Sequence, residues 1–186
     1  ERTLILNRLK RSAADLVTLQ PHFANLRALN INYNEDMGNA ALETVAKFPE
    51  LSVLKLDSTK ITDDGLMHLQ NLSQVVYLSL RRNDLNGSGL KSLRRMSQLQ
   101  VLDLEHNNID GSTLGGLKGF PKLKFLIVSG SGLKKHPIAD ADLVHLAEIG
   151  SLEVLFLSDT EITDVGLQHL ARLTSLGMLG IGSNKI

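Results

Sequence analysis

The group of side chains best spaced to hold a metal or move a proton in this sequence is His136, Asp140, Asp142 and His145. Imidazoles and carboxylates so close together suit zinc or manganese. The same residues equally describe a solvated loop in which Asp140 or Asp142 caps a helix beginning at Leu143, and no metal is assigned to them. His68, His145 and His169 each precede a leucine, in M-H-L, V-H-L and Q-H-L. They therefore occupy one recurring outer-helix position rather than surrounding a common ion. Gly115, Gly116 and Gly119 are not followed by Gly-Lys-Ser/Thr, so they form no phosphate loop. Without cysteine, nucleophile motif or acid–base pair, the chain is expected to be no enzyme and to need no cofactor.

What positions these residues is a repeat. Leu51, Leu54, Leu56, Thr59 and Ile61 form one copy of L-x-x-L-x-L-x-x-N/T-x-I; Leu99, Leu102, Leu104, Asn107 and Ile109 form a second; Leu152, Leu155, Leu157, Thr160 and Ile162 form a third. Full copies begin at Leu26, Leu51, Val75, Leu99, Leu123 and Leu152, in steps of 25, 24, 24, 24 and 29 residues. A truncated copy begins at Leu176, and a divergent one precedes Leu26, making about eight. Within each copy, positions 4 and 6 alternate inward as in a strand. Leu66, Leu69 and Leu72, like Leu167, Leu170 and Leu173, keep helical spacing. The ninth position is always short and polar: Asn34, Thr59, Asn83, Asn107, Ser131, Thr160 and Asn184. Thr62 or Asp63, and Thr163 or Asp164, are expected helix N-caps. Gly65 and Gly166 are expected to relieve crowding between helix and strand layers.

This pattern resembles the leucine-rich-repeat family. The I-T-D-x-G-L wording at Ile61 and Ile162 is similar to the cysteine-containing class of F-box proteins and to bacterial proteins, with Thr in place of Cys. The resemblance implies an α/β horseshoe-shaped solenoid, with a parallel sheet on the concave face and helices on the convex face. It implies that residues 1–186 form one domain and that the ninth-position side chains bond loop backbone in neighbouring turns. It also implies a protein–protein interaction module. The alternative is the substrate-recognition domain of a bacterial effector or ubiquitin-ligase-type enzyme whose catalytic domain lies elsewhere.

In such a solenoid, strand positions 3, 5 and 7 face the concave side, flanked by position 8. The middle copies place Lys55, Tyr77, Arg81, Arg82, Asp103, Glu105 and His106 there, and the later copies place Phe125, Ile127 and Phe156. Large apolar and Tyr/Arg side chains on an exposed sheet suit a protein or peptide partner, so these ten form the expected binding surface. Five extra residues in the copy from Leu123 are placed within Lys134 to Ala139, a rim loop expected to join that surface or, through Pro137 and Ile138, to cover it.

With 20 basic and 20 acidic residues the chain has no formal net charge, which argues against nucleic acid or anionic membrane as partner. No apolar run reaches the ~18 residues of a membrane span. The absence of cysteine favours the cytoplasm, or a bacterial effector inside a host cell, over an oxidising compartment. Leu179 and Ile181 lack a following capping helix. The chain is therefore expected to continue beyond Ile186 or to self-associate there.

Overall fold

Alternation of Leu54 and Leu56 with Val53 and Lys55 is the two-residue period of a strand, and it recurs in each repeat. The computed structural model describes residues 2–130 and 138–186. These segments become strands β1 (Thr3–Ile5), β2 (Ala28–Asn30), β3 (Val53–Lys55), β4 (Tyr77–Ser79), β5 (Val101–Asp103), β6 (Phe125–Ile127), β7 (Val154–Phe156) and β8 (Met178–Gly180). They pair in chain order as one parallel sheet of eight strands. Register does not slip: Ala28, Val53, Tyr77, Val101, Phe125, Val154 and Met178 are successive partners.

Hydrogen bonds extend the ladder beyond these short strands at both ends. At the entry, one carbonyl accepts two N–H groups of the next repeat, as Gln100 does from Lys124 and Phe125. At the exit, the position-8 residue turns left-handed and donates its N–H to the next position-7 carbonyl: Arg82 to Glu105 at 2.9 Å, His106 to Ser129 at 2.9 Å, Asp159 to Gly182 at 3.0 Å. Tyr33, Ser58, Arg82, His106, Asp159 and Ser183 all lie at φ of 51–59°. Side chains rarely adopt this conformation, and only Gly130 meets the demand as glycine. The repeated backbone bond maintains it.

The convex side carries helices α1 (Ala13–Leu19), α2 (Gly38–Val45), α3 (Leu143–Leu146) and α4 (Asp164–Leu170). Three middle repeats instead use 3₁₀ turns, at Asp63–Asn71, Ser88–Leu93 and Gly111–Gly119. Buried anchors three apart, such as Leu66 with Leu69 or Leu114 with Leu117, fit a three-residue turn. In α2 the buried Ala41, Leu42 and Val45 require the wider period. The four glycines of Gly111–Gly119 further disfavour an α-helix there.

Between the layers, position-4 and position-6 leucines stack into one core, closed by Phe48 and Phe120 in the return segments. The ninth-position side chains tie this core to backbone. Asn107 Nδ2 donates to the Leu80 and Leu104 carbonyls at 2.8 and 2.9 Å, while its Oδ1 accepts from Asn83 and Leu85 N–H. Asn34, Thr59, Asn83, Thr160 and Asn184 bond likewise. Ser131 lies outside the described residues.

The insertion is corrected at its end. Ile138 is fully buried in the core and its carbonyl accepts from Glu161 N–H, as that of Ile61 does from Asp84. Ile138 to Leu143 thus repeats the frame of Ile61 to Leu66, and Ile138 does not cover the sheet. Residues 134–137 lie outside the described residues.

The convex turns are joined by polar staples, and here the expectation for Gly65 and Gly166 changes. They face neighbouring turns rather than the strand layer: a Cβ would meet Asn39 Oδ1 at 2.2 Å and Asp140 Oδ1 at 2.4 Å. Asn39 bonds Thr62 through both amide atoms. Asp63 accepts from the N–H groups of Asn86, Gly87 and Gly89 at 2.7, 3.1 and 2.7 Å. Thr62 and Thr163 are the N-caps, and Thr163 Oγ1 accepts from Val165 N–H at 3.2 Å.

Candidate functional site

Asp140 serves this stapling, while Asp142 caps the start of its own turn. Asp140 accepts from Thr163 N–H and Oγ1, both at 2.7 Å, and these bonds hold its carboxyl below the usual carboxylate range. Asp142 accepts from Ala139 N–H at 2.9 Å. His68, His145 and His169 lie half-buried on separate convex turns. His136 lies outside the described residues.

The concave face is built by odd positions of the strands. Lys55 Nζ sits 5.3 Å from the centre of the Tyr77 ring, a cation–π contact. Burial, with the Asp103 and Asp57 carboxylates nearby, pushes the Tyr77 hydroxyl above its usual pKa. Beside this pair runs a polar chain. Asn32 and Asp57 exchange bonds of 2.6 and 2.8 Å. The second Asp57 oxygen accepts from Ser79 Oγ and from Arg81 N–H. The Arg81 guanidinium pairs with Glu105 and approaches Asp103 at 3.7 Å, and Glu105 also faces His106 at 3.6 Å. One arginine therefore holds two carboxylates.

Asp103 departs from its expected surface role. It is 4% exposed, accepts from Glu105 N–H at 3.0 Å, and orients Arg81 and Glu105 from beneath. Burial pushes its carboxyl up to about 6, the bond from Glu105 N–H and the Arg81 charge pulling the other way. Arg82 and His106 are exposed, and His106 lies over Gly130, where a Cβ would meet its Nδ1 at 2.5 Å.

Across β6 and β7 the surface becomes apolar. Phe125 is 39% exposed; Ile127 and Phe156 are half-buried and adjacent in register. The Phe156 ring lies on the bare backbone of Gly180, where a Cβ would meet Cδ1 at 2.2 Å. Glu105, Ile127, Ser129, Phe156, Ser158 and Asp159 line a shallow hollow of ≈ 270 Å³. Sequence reasoning singled out three of those six. It passed over Ser129, Ser158 and Asp159, although their positions 7 and 8 face the same way. Leu179, the counterpart of the fully buried Leu155, is 36% exposed on β8. Among the described residues no helix is long and apolar enough to cross a membrane.

Comparison with known proteins agrees with this geometry. Family models described as leucine rich repeat match residues 49–109 and 77–133, and again residues 151–171. No curated protein matches at the sequence level. Internalin C2 of Listeria monocytogenes has a similar solved structure, with a TM-score of 0.63 and 22% identity over 88% of this chain and 64% of that one. The ectodomain of the receptor kinase GASSHO1/SCHENGEN3 of Arabidopsis thaliana, solved in complex with CASPARIAN STRIP INTEGRITY FACTOR 2, gives a TM-score of 0.60 and 21% identity over 87% of this chain and 19% of that one. The chain thus spans less than two thirds of either structure. At such identities the likeness is one of fold, a fold commonly used for protein–protein interaction. Matched over more than half its length, with eight parallel strands in unbroken register, the chain belongs to the leucine-rich-repeat family.

Proposed function

We propose that the protein is a recognition module without catalysis of its own, binding a protein or peptide across the concave sheet. Lys55, Tyr77, Arg81, Arg82, Glu105, His106, Phe125, Ile127 and Phe156 form the contact surface, with Asp103 supporting it from below. The observation that carries this reading is the cluster of Phe125, Ile127 and Phe156, left open on strands β6 and β7, which are paired on both sides. Contiguous exposed apolar area on a rigid scaffold favours association, because little ordering opposes it.

The test captures partners from a lysate with three proteins of equal melting temperature: wild type, Phe125→Ala with Arg82→Glu, and Val165→Ser on the exposed convex surface of α4. A partner lost only with the concave variant supports the reading. A partner lost only with the convex variant refutes it. Arg81→Glu is avoided, since it would set a fourth carboxylate beside Asp57, Asp103 and Glu105.

A further inference from the structure

We infer that the hollow between Glu105 and Asp159 receives a lysine or arginine side chain of the partner, an inference that rests on the concave-face reading and names the chemistry it recognises. The floor is apolar, from Ile127 and Phe156, and carries the hydroxyls of Ser129 and Ser158. Both walls are carboxylates. Glu105 is held by Arg81, which fixes its direction, and a carboxylate has about four lone-pair sites, so capacity remains. Asp159 is exposed, its backbone is pinned by the bond to Gly182, and its carboxylate makes no ion pair with any described residue. The two walls stand two strands apart, ~10 Å. An apolar floor between two carboxylates complements an aliphatic stem that ends in a cation. An acidic side chain would meet like charge on both sides, and a purely apolar one would bury against Glu105 and Asp159 without pairing them.

Random peptides displayed on phage are selected on the wild-type protein, and the enriched sequences are synthesised and titrated against wild type, Asp159→Asn and Phe156→Ala. The expected result is a recurrent Lys or Arg beside an apolar residue. Replacing that Lys or Arg by norleucine then weakens binding tenfold or more, and Asp159→Asn weakens it about fivefold, as suits one exposed charge pair. Enriched peptides that tolerate norleucine, or that ignore Asp159→Asn, overturn the cationic subsite. If such peptides still need Phe156, recognition on the concave face stands and only the subsite falls. If they bind Phe156→Ala unchanged, both fall. A selection with no enriched sequence also overturns the inference.

Discussion

Asp103→Asn is expected to stabilise the protein at neutral pH and to do nothing below about pH 4. The carboxyl is pushed from 3.8 to about 6 chiefly by burial. A shift of about two units means that keeping Asp103 charged in the folded state costs about 3 kcal/mol. The sign follows from the raised pKa. Between about pH 4 and pH 6 the folded protein binds the proton that the unfolded chain releases. Stability from this group is therefore complete below the unfolded value and lost as pH rises through about 6. Asparagine removes the ionisation and keeps an acceptor for Glu105 N–H. The attraction of Arg81, whose side chain is 38% exposed, already opposes burial in that shift, and as a pair it is worth ~1 kcal/mol or less. The net gain at neutral pH is about 2–3 kcal/mol, or roughly 4–12 °C in Tm for a chain of this size. Denaturant melts followed by circular dichroism across the pH range would show the wild type weakening between mild acid and neutrality while the variant stays level. A variant less stable than wild type at neutral pH would refute the reasoning, because the Arg81 pair would then outweigh the cost of burial.

Four further outcomes are expected from unfolding experiments. Asn107→Ala should cost about 2–4 kcal/mol, since four bonds to buried backbone disappear together; a loss below ~1 kcal/mol would mean that water replaces the side chain. Gly89→Ala should destabilise by roughly 2 kcal/mol, because its Cβ would lie 2.4 Å from the Asp63 carbonyl oxygen. Gly116→Ala, with open space around it, should be neutral or stabilise by up to about 1 kcal/mol. Asp140 has a lowered pKa from its bonds to Thr163, so its contribution is present above 3.8 and fades as pH falls; Asp140→Asn should flatten the acid limb of the stability profile, and an unchanged limb would refute that role.

The strands and their register were legible because the inward leucines recur with almost constant spacing, and a slip by one residue would turn Leu54 and Leu56 outward. Leu66 and Leu69 marked the convex turns but not their helix type, since anchors three apart satisfy both 3₁₀ and α geometry. The return of the frame at Ile138 was hidden by the insertion before it and by Ala139 and Asp142 standing where Thr and Gly stand elsewhere. On the concave face, Lys55 and Phe125 were readable from strand parity alone. The burial of Asp103 was not, because it arises from Glu105 of its own repeat and Arg81 of the preceding one closing over it. Asp159 shares its position with Arg82 and His106, and its value to the hollow emerges only once Phe156 lies flat on Gly180.

The unslipped register also acts as a ruler. Like positions on adjacent strands repeat every ~4.8 Å, whereas an extended peptide laid across them presents side chains to the sheet every ~6.8 Å. The two scales drift apart and nearly coincide after three strands, at ~14 Å, which is about four peptide residues. The sheet is thus a vernier. A linear ligand that seated a side chain against Tyr77 of β4 would come back into phase at β7, against Val154. It passes out of phase over the strands between. A linear ligand bound across this face would be sorted by the four-residue interval between its anchoring side chains as much as by the identity of those side chains.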